Sequence, residues 1–341
     1  MSSKRIMVTG CAGHIGANLT HALLKEGHHV IGIDDMSGGA YSFLPKEPNP
    51  MFSFYQVDLG DYAKTEEIFM LSRPHALYHL AANAREGASF YSPHAITRAN
   101  SYISSVVFEL AVRYKTERII YTSSMARFGD QEVPFVETMP TKSVDLYGSN
   151  KICTEECLRM LGEVHGFQWV ILVPRNIFGP MQAMWDRYRN FIAIAMQCIM
   201  RGEPITIYGK GHVRSFSFVG DAIPCFLKVL DPGPWDKEVI SVGGLQPMTI
   251  DDVTREIIKN FPEYTKPEVV HLPERHGEVK IAYCDPTKSI SMLGYEEKFG
   301  FKKGVAIMSE WAKTQGVMEW RKDKLALPNE TIPDPWKALN S

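Results

Sequence analysis

Arg5-Ile6-Met7-Val8-Thr9-Gly10-Cys11-Ala12-Gly13-His14-Ile15-Gly16 joins a short β-rich run to a G-x-x-G-x-x-G turn that opens a helical stretch. Glycines in such a turn permit a tight reversal and let the backbone approach a pyrophosphate. The charge of that group is met by free N–H groups at the helix start, here around Gly13, His14, Ile15 and Gly16. The turn alone is weak evidence, but it stands after a strand and before a helix, as a dinucleotide site requires. The next β-rich run, H-V-I-G-I-D, ends in Asp34. A carboxylate there accepts both hydroxyls of an adenosine ribose and repels a 2′-phosphate. Asp35, Met36 and Ser37 follow it and bring no nearby cation, so NAD is expected rather than NADP.

Outward from this turn, short β-rich runs alternate with helical stretches. Strands are expected at Arg5–Thr9, His29–Ile33, Met51–Val57, Ala76–Leu80, Arg118–Ser123 and Trp169–Val173. Helices are expected over His14–Glu26, Asn100–Tyr114 and Tyr147–His165. This alternation predicts an α/β fold of Rossmann type, a doubly wound parallel sheet with helices on both faces. After about residue 174 the elements shorten and Pro and Gly break them. A smaller C-terminal substrate-binding α/β lobe over the carboxyl edge of the sheet is expected there. The expected division is a dinucleotide-binding domain over 1–174, a substrate lobe over 175–320 and a tail over 321–341. The tail is polar and proline-containing, and reads as a surface appendage, disordered or loosely docked.

Composition bounds the partners. The chain has 341 residues, 45% hydrophobic and 22% charged, with a formal net charge of −2. That balance gives no electrostatic case for nucleic acid or an anionic membrane. No apolar stretch precedes the first strand, so a secretion signal is not expected. The run Phe191–Met200 is about half a membrane span and reads as a buried helix. The six cysteines form no C-x-x-C pair and no Cys/His cluster, so no metal site is expected. Cys153 and Cys157 share a helix face and are expected to be reduced packing residues, in keeping with a cytoplasmic location.

Tyr147-Gly148-Ser149-Asn150-Lys151 is Y-x-x-x-K at a helix start. The spacing puts phenol and ammonium on one face. The ammonium is expected to lower the phenol pKa from about 10 toward neutrality, so that the phenolate serves as a general base. Ser124, in I-I-Y-T-S-S at the end of the fifth strand, is placed to share the same substrate oxygen and shuttle its proton. Asp58, after the third strand in Q-V-D-L-G-D, is a candidate for the adenine amino group. Leu80-Ala81-Ala82 offers small residues where a cofactor passes close to the backbone.

The order of glycine turn, strand-end Ser and Y-x-x-x-K resembles the extended short-chain dehydrogenase/reductases over about residues 4–315, most closely the nucleotide-sugar 4-epimerases. Val173-Pro174-Arg175-Asn176-Ile177-Phe178-Gly179-Pro180 is similar to that family's R-x-x-N-V-Y-G-P. Ile207–Gly211 with Arg214-Ser215-Phe216 resembles its base-stacking and diphosphate segment, and Pro273–Val279 its P-x-R-x-G-D-V. The resemblance implies a UDP-sugar substrate and a homodimer. It places Asn176, Arg214 and Arg275 on the sugar diphosphate, Asn190 in the substrate site, Tyr208 near the base and Glu278 at the ribose. It adds Leu59 and Asn100 to the cofactor site with Leu80, Ala81 and Ala82.

Three departures stand out. V-Y-G after the serine is Arg127-Phe128-Gly129, N-x-x-G-T is Asn100-Ser101-Tyr102-Ile103-Ser104 without its glycine, and R-D-F is R-S-F. The family's members share oxidation at C4, with Tyr147 taking the 4-hydroxyl proton while C4 gives hydride to NAD. A 4,6-dehydratase would carry Asp-Glu just after the serine. Met125-Ala126 stands there and transfers no protons, which favours 4-epimerisation. Ala282 takes a wall position where a small residue admits an N-acetyl group, so UDP-N-acetylglucosamine is expected beside UDP-glucose. A uronic acid would want a cation near C6, for which Arg85 and Arg127 are the candidates. A decarboxylase or reductase of the same family and a silent NAD-binding protein are the competing readings; Ser124, Tyr147 and Lys151 are all present, which weighs against silence.

Overall fold

Among the described residues of this computed structural model (3–46, 48–327, 330 and 332–340), seven parallel strands form one central sheet. Strands β1 (Arg5–Thr9), β2 (His29–Asp34), β3 (Phe52–Gln56), β4 (Ala76–His79), β5 (Arg118–Thr122) and β6 (Gln168–Pro174) lie in the order 3-2-1-4-5-6. The order reverses between β1 and β4. The crevice at their carboxyl ends is therefore the switch point where such sheets bind ligands.

Strand β1 shows why the sequence takes this form. Its side chains alternate across the sheet, yet Ile6, Met7 and Val8 are all fully buried. Ile6 and Val8 pack with Leu19 and Leu23 of helix α1 (His14–Lys25). Met7 faces the other layer, with Phe69 of α2 (Tyr62–Ser72), Val107 and Phe108 of the helix Ile103–Arg113, and Leu158 of the helix Leu146–His165. Helices on both faces leave no polar side, which is why the strands read as continuous apolar runs.

The seventh strand, Glu238–Val242, pairs in parallel with β6, Ile240 opposite Leu172. It lies beyond 174, so the chain returns to the sheet after leaving it. The run is short and sits among Pro and Gly, and periodicity alone does not separate it from a loop. Two small sheets flank the cleft. Ile205–Tyr208 pairs in parallel with Val269–Leu272, and Val213–Ser215 lies between Pro247–Thr249 and Ile281–Ala282. The apolar run is the buried helix Phe191–Arg201, and no described helix is long and apolar enough to cross a membrane. Arg175 ties the end of β6 to the loops at Gly244 and Cys284–Asp285. It is fully buried, and its guanidinium donates to the carbonyls of Gly244 (3.1 Å), Cys284 (3.0 Å) and Asp285 (2.8 Å).

Two departures noted in the sequence have local explanations. Where the glycine of N-x-x-G-T is missing, a π-turn at Arg98–Tyr102 leads into the helix, and Ile103 is buried against the second core layer. Such bulges place one extra residue in a turn and recur beside functional sites. Arg127 points into the protein and is buried, its Nε 3.0 Å from Glu155 Oε1. Glu155 also accepts from the Ser123 hydroxyl and pairs with Arg159 at 3.3 Å. All six cysteines are free; Cys11, Cys198, Cys225 and Cys284 are buried, while Cys153 is exposed and does not pack as expected.

Removing one member of a buried ion pair leaves the other charge stranded. Glu155→Leu is therefore expected to lower the unfolding free energy by about 3–5 kcal/mol. Urea denaturation measures it, and an unchanged midpoint would show that Arg127 has another counter-charge.

Candidate active site

A cleft of about 800 Å³ runs between the lobes along the carboxyl edge of the sheet. At one end lies the glycine turn. Gly10 has φ +71°, and a Cβ there would fall 2.8 Å from Ala81 N. A Cβ on Gly16 would fall 2.0 Å from Gly10 O, so a side chain there would drive α1 from the end of β1, while one on Gly10 would push away the loop after β4. Gly13 is the N-cap of α1 and supplies no side-chain cap, which leaves the first N–H groups of the helix for a ligand. Asp34 stands beside this turn, accepting from Ala12 N at 2.9 Å and Met36 N at 2.8 Å. Burial pushes its pKa up, and these two backbone bonds oppose the push. His14 is neutral, since burial lowers its pKa to about 3, and its Nε2 is a buried atom with no partner among the described residues. Tight backbone, free amides and a strand-end acid together fit a dinucleotide.

Leu59, Leu80, Ala81, Ala82, Gly13, His14, Ile15 and Asp34 all line this cleft. Asp58 and Asn100 do not. The Asp58 carboxylate pairs with Arg98 at 2.8 Å and accepts from Gly60 N. The Asn100 side chain donates to Asn83 O (3.2 Å) and Ile96 O (2.8 Å), holding the π-turn against the loop after β4.

Ser124, Tyr147 and Lys151 meet in the middle of the cleft. Asp145 caps the helix Leu146–His165 through Gly148 N at 2.7 Å, which puts Tyr147 in the first turn. Lys151 donates from Nζ to Thr122 O at 2.7 Å and stands 5.7 Å from the centre of the Tyr147 ring. Ser124 lies beside Tyr147 and favours its phenolate form. The expected lowering of the phenol pKa is not what the residues give by themselves. Burial raises it well above the ordinary value, and the Glu86 carboxylate raises it further, against the opposing pull of Ser124 and Arg189. Burial also lowers Lys151 to about 7, so the ammonium is only partly charged at neutral pH. Glu86 escaped sequence reasoning because nothing around it forms a motif. It lines the same cleft with part of the residue open to solvent, and the crowding of the cleft walls and the nearby Asp145 raise its pKa.

Asn176, Asn190, Tyr208, Arg214, Arg275, Glu278 and Ala282 line the other half. Asn176 donates to Ser215 O at 2.9 Å, and Asn190 caps the helix Phe191–Arg201 by accepting from Ile192 N at 3.1 Å. Glu278 sits between the two arginines, in contact with Arg275 and 3.6 Å from Arg214. The Arg275 guanidinium stacks over Tyr208 at 4.2 Å. Two planar cations and a ring at one end of a cleft suit a nucleoside diphosphate.

A family model for the NAD dependent epimerase/dehydratase family matches residues 6–243. The chain belongs to that family. This NAD-dependent epimerase/dehydratase is similar to a UDP-glucose 4-epimerase of Thermotoga maritima solved with UDP-glucose, at 29% identity and TM-score 0.84, over 91% of this chain and 99% of that one. It is similar to the Thermus thermophilus UDP-glucose 4-epimerase solved with NAD, at 26% and 0.83 over 91% and 99%. It is also similar to a UDP-N-acetylglucosamine 4-epimerase of Methanobrevibacter ruminantium solved with UDP-N-acetylmuramic acid, at 26% and 0.84 over 92% and 100%. NAD is accordingly the cofactor of this family member. Among the described residues, no group of three or more His, Cys, Asp or Glu is placed to hold a metal ion.

The described residues of the tail of this epimerase/dehydratase dock on the protein, where its polarity led to the expectation of a loose appendage. Arg321 N donates to Trp185 O at 2.9 Å and Leu327 N to Tyr91 O at 2.8 Å. Leu325, Ile332 and Trp336 form a small core with Ala88, Tyr91 and Tyr188. Trp336 lines the cleft, 4.9 Å from the Tyr188 ring and 5.2 Å from the Arg275 guanidinium. The apolar residues carrying this docking are widely spaced, so no helix or strand period reveals them. Ending the chain at Trp320 removes this wall. The KM for a sugar nucleotide is expected to rise about tenfold, roughly 1.4 kcal/mol, with NAD still bound. An unchanged KM in steady-state kinetics would show that the tail only covers the cleft.

Proposed function

We propose that this protein is an NAD-dependent 4-epimerase that interconverts UDP-glucose and UDP-galactose, and their N-acetylated forms, through a 4-keto sugar. The observation that carries the reading is the pairing of Ser124, Tyr147 and Lys151 with neighbours Met125 and Ala126, which line the same cleft and cannot transfer protons. Proton exchange at one hydroxyl is provided for, and elimination of water is not.

In this mechanism Tyr147 takes the proton of the sugar 4-hydroxyl, with Ser124 bonded to the same oxygen. NAD, held by the glycine turn, Asp34 and Leu80–Ala82, would supply the hydride acceptor and donor when bound. Lys151, fixed on Thr122 O, is buried close to Tyr147, where a charge acts over a longer range than in solvent. Arg214, Arg275 and Asn176 hold the diphosphate while the keto sugar turns over. Tyr147 then returns the proton after the other face of C4 is reduced. Ala282 is buried at the cleft wall and leaves space where a larger side chain would meet an N-acetyl group.

The two cations expected near C6 of a UDP-uronate are engaged elsewhere. Arg85 is bound to Asp186 at 2.7 Å and to Asp323 at 2.6 Å, and Arg127 is buried on Glu155. Neither is free for a carboxylate, and Glu86 adds a negative group to the cleft. A homodimer belongs to the same proposal, because Tyr102, Met160 and Val164 lie exposed on or beside the two helices that would meet. A single-chain mass by light scattering would remove that part.

Proton NMR of the purified protein with UDP-glucose, UDP-N-acetylglucosamine and UDP-glucuronate, without added cofactor, tests the reading. The C4-inverted sugar is expected from the first two. No inversion even with added NAD rules out the 4-epimerase, and xylose or a keto sugar in the spectra identifies the competing enzyme. Tyr147→Phe is expected to reduce kcat by about 10²–10⁴-fold, and Ala282→Tyr to remove turnover of the N-acetylated substrate alone. Glu86→Gln takes away an anion that raises the pKa of both Tyr147 and Lys151. Both limbs of the kcat/KM profile should then move to lower pH; a profile that stays in place would mean that Glu86 does not act on the pair.

A further inference from the structure

Arg189 belongs to no motif in the sequence. It ends the loop that leads into the helix Phe191–Arg201, on the substrate side of the cleft. Asp186 aims it, accepting from Arg189 Nε at 3.2 Å and, through its backbone carbonyl, from Arg189 N at 3.4 Å. The guanidinium crosses the cleft to the loop after β2, where a Cβ added to Gly38 would lie 2.8 Å from Arg189 Nη2. Its terminal amino groups have no hydrogen-bond partner among the described residues.

The surroundings define what they face. Gly38 lies four residues beyond Asp34, and the charge of Arg189 is felt at Asp34 and at His14, the first residue of α1. The glycine turn and the free N–H groups of α1 form one wall of this end. They meet a pyrophosphate from one side only, and a doubly charged group in a partly closed cleft leaves oxygens for donors on the other side. Arg214 and Arg275, which suit the second diphosphate in the cleft, gather instead around Glu278 and Tyr208.

We propose that Arg189 clasps the pyrophosphate of the bound dinucleotide from across the cleft, tying the substrate-side loop to the cofactor. Asp186 acts as its positioning residue and divides itself between Arg189 and Arg85. The clasp makes NAD a shared element of both lobes, so the cofactor is retained through repeated turnovers. The inference needs only that NAD binds, and holds whichever sugar nucleotide is the substrate.

The test is calorimetric binding to protein stripped of NAD, comparing wild type, Arg189→Gln and Arg189→Lys. Arg189→Gln keeps much of the shape, and a thermal melt checks that it folds. Loss of a charge-assisted contact should weaken NAD and ADP-ribose by about tenfold. Adenosine, which has no phosphate, and UDP should bind as to wild type, and Arg189→Lys should recover part of the loss. The proposal is overturned if NAD affinity is unchanged, if adenosine weakens as much as NAD, or if UDP weakens and NAD does not. The last result would place Arg189 on the substrate diphosphate and leave the 4-epimerase reading intact.

Discussion

The carbonyl of Gly10 sits where a Cβ on Gly16 would have to go, and the nucleotide end of the molecule is arranged around that approach. Only glycine lets α1 start so close to the end of β1, and only Gly10, at positive φ, turns the chain tightly enough to do it. The consequences propagate outward. The turn rests on the backbone of Leu80 and Ala81, which fixes the loop after β4. Ala12 N reaches Asp34, which fixes the end of β2 and presents its carboxylate beside the free amides of the helix. Without the close approach, the anion-binding helix end and the ribose-reading acid would not share one pocket.

At the middle of the cleft the governing physics is desolvation. Tyr147 and Lys151 are buried together, and each resists its charged form: the phenol rises and the ammonium falls. Glu86 steadies the cation and opposes the phenolate, and Ser124 favours it. A low-dielectric site of this kind amplifies every charge that enters it. The residues alone leave the proton on the phenol.

Segments far apart in the chain are tied together by a few buried or half-buried charges. Arg175 gathers the carbonyls of Gly244, Cys284 and Asp285 on one guanidinium. Asp186 holds both Arg85 and Arg189, while Asp323 of the tail shares Arg85. Through that shared arginine the tail is coupled to the loop after β4 and to the loop before Phe191–Arg201. Trp336 adds packing against Tyr188 and Arg275, so the wall of the substrate half is built from segments far apart in the chain.

Local pattern made the first half legible. β1, β2, β4, β5 and β6, the turn and Y-x-x-x-K all depend on neighbours within about ten residues, and a strand or helix period expresses that directly. Cleft-lining positions such as Asp34, Leu80 and Tyr147 followed, because a parallel sheet sends every strand end to one edge. The seventh strand, the docked tail and the roles of Glu86, Arg127 and Arg189 did not follow. Each depends on a partner remote in sequence: β6 for Glu238–Val242, Tyr188 for Trp336, Tyr147 for Glu86, Glu155 for Arg127 and Gly38 for Arg189. The sequence by itself determined the layers, the strand ends and the residue types that carry the chemistry. Tertiary structure alone decided which charges are spent on one another and which face the cleft, because an ion pair is fixed by distance and burial in three dimensions and leaves no period in the chain.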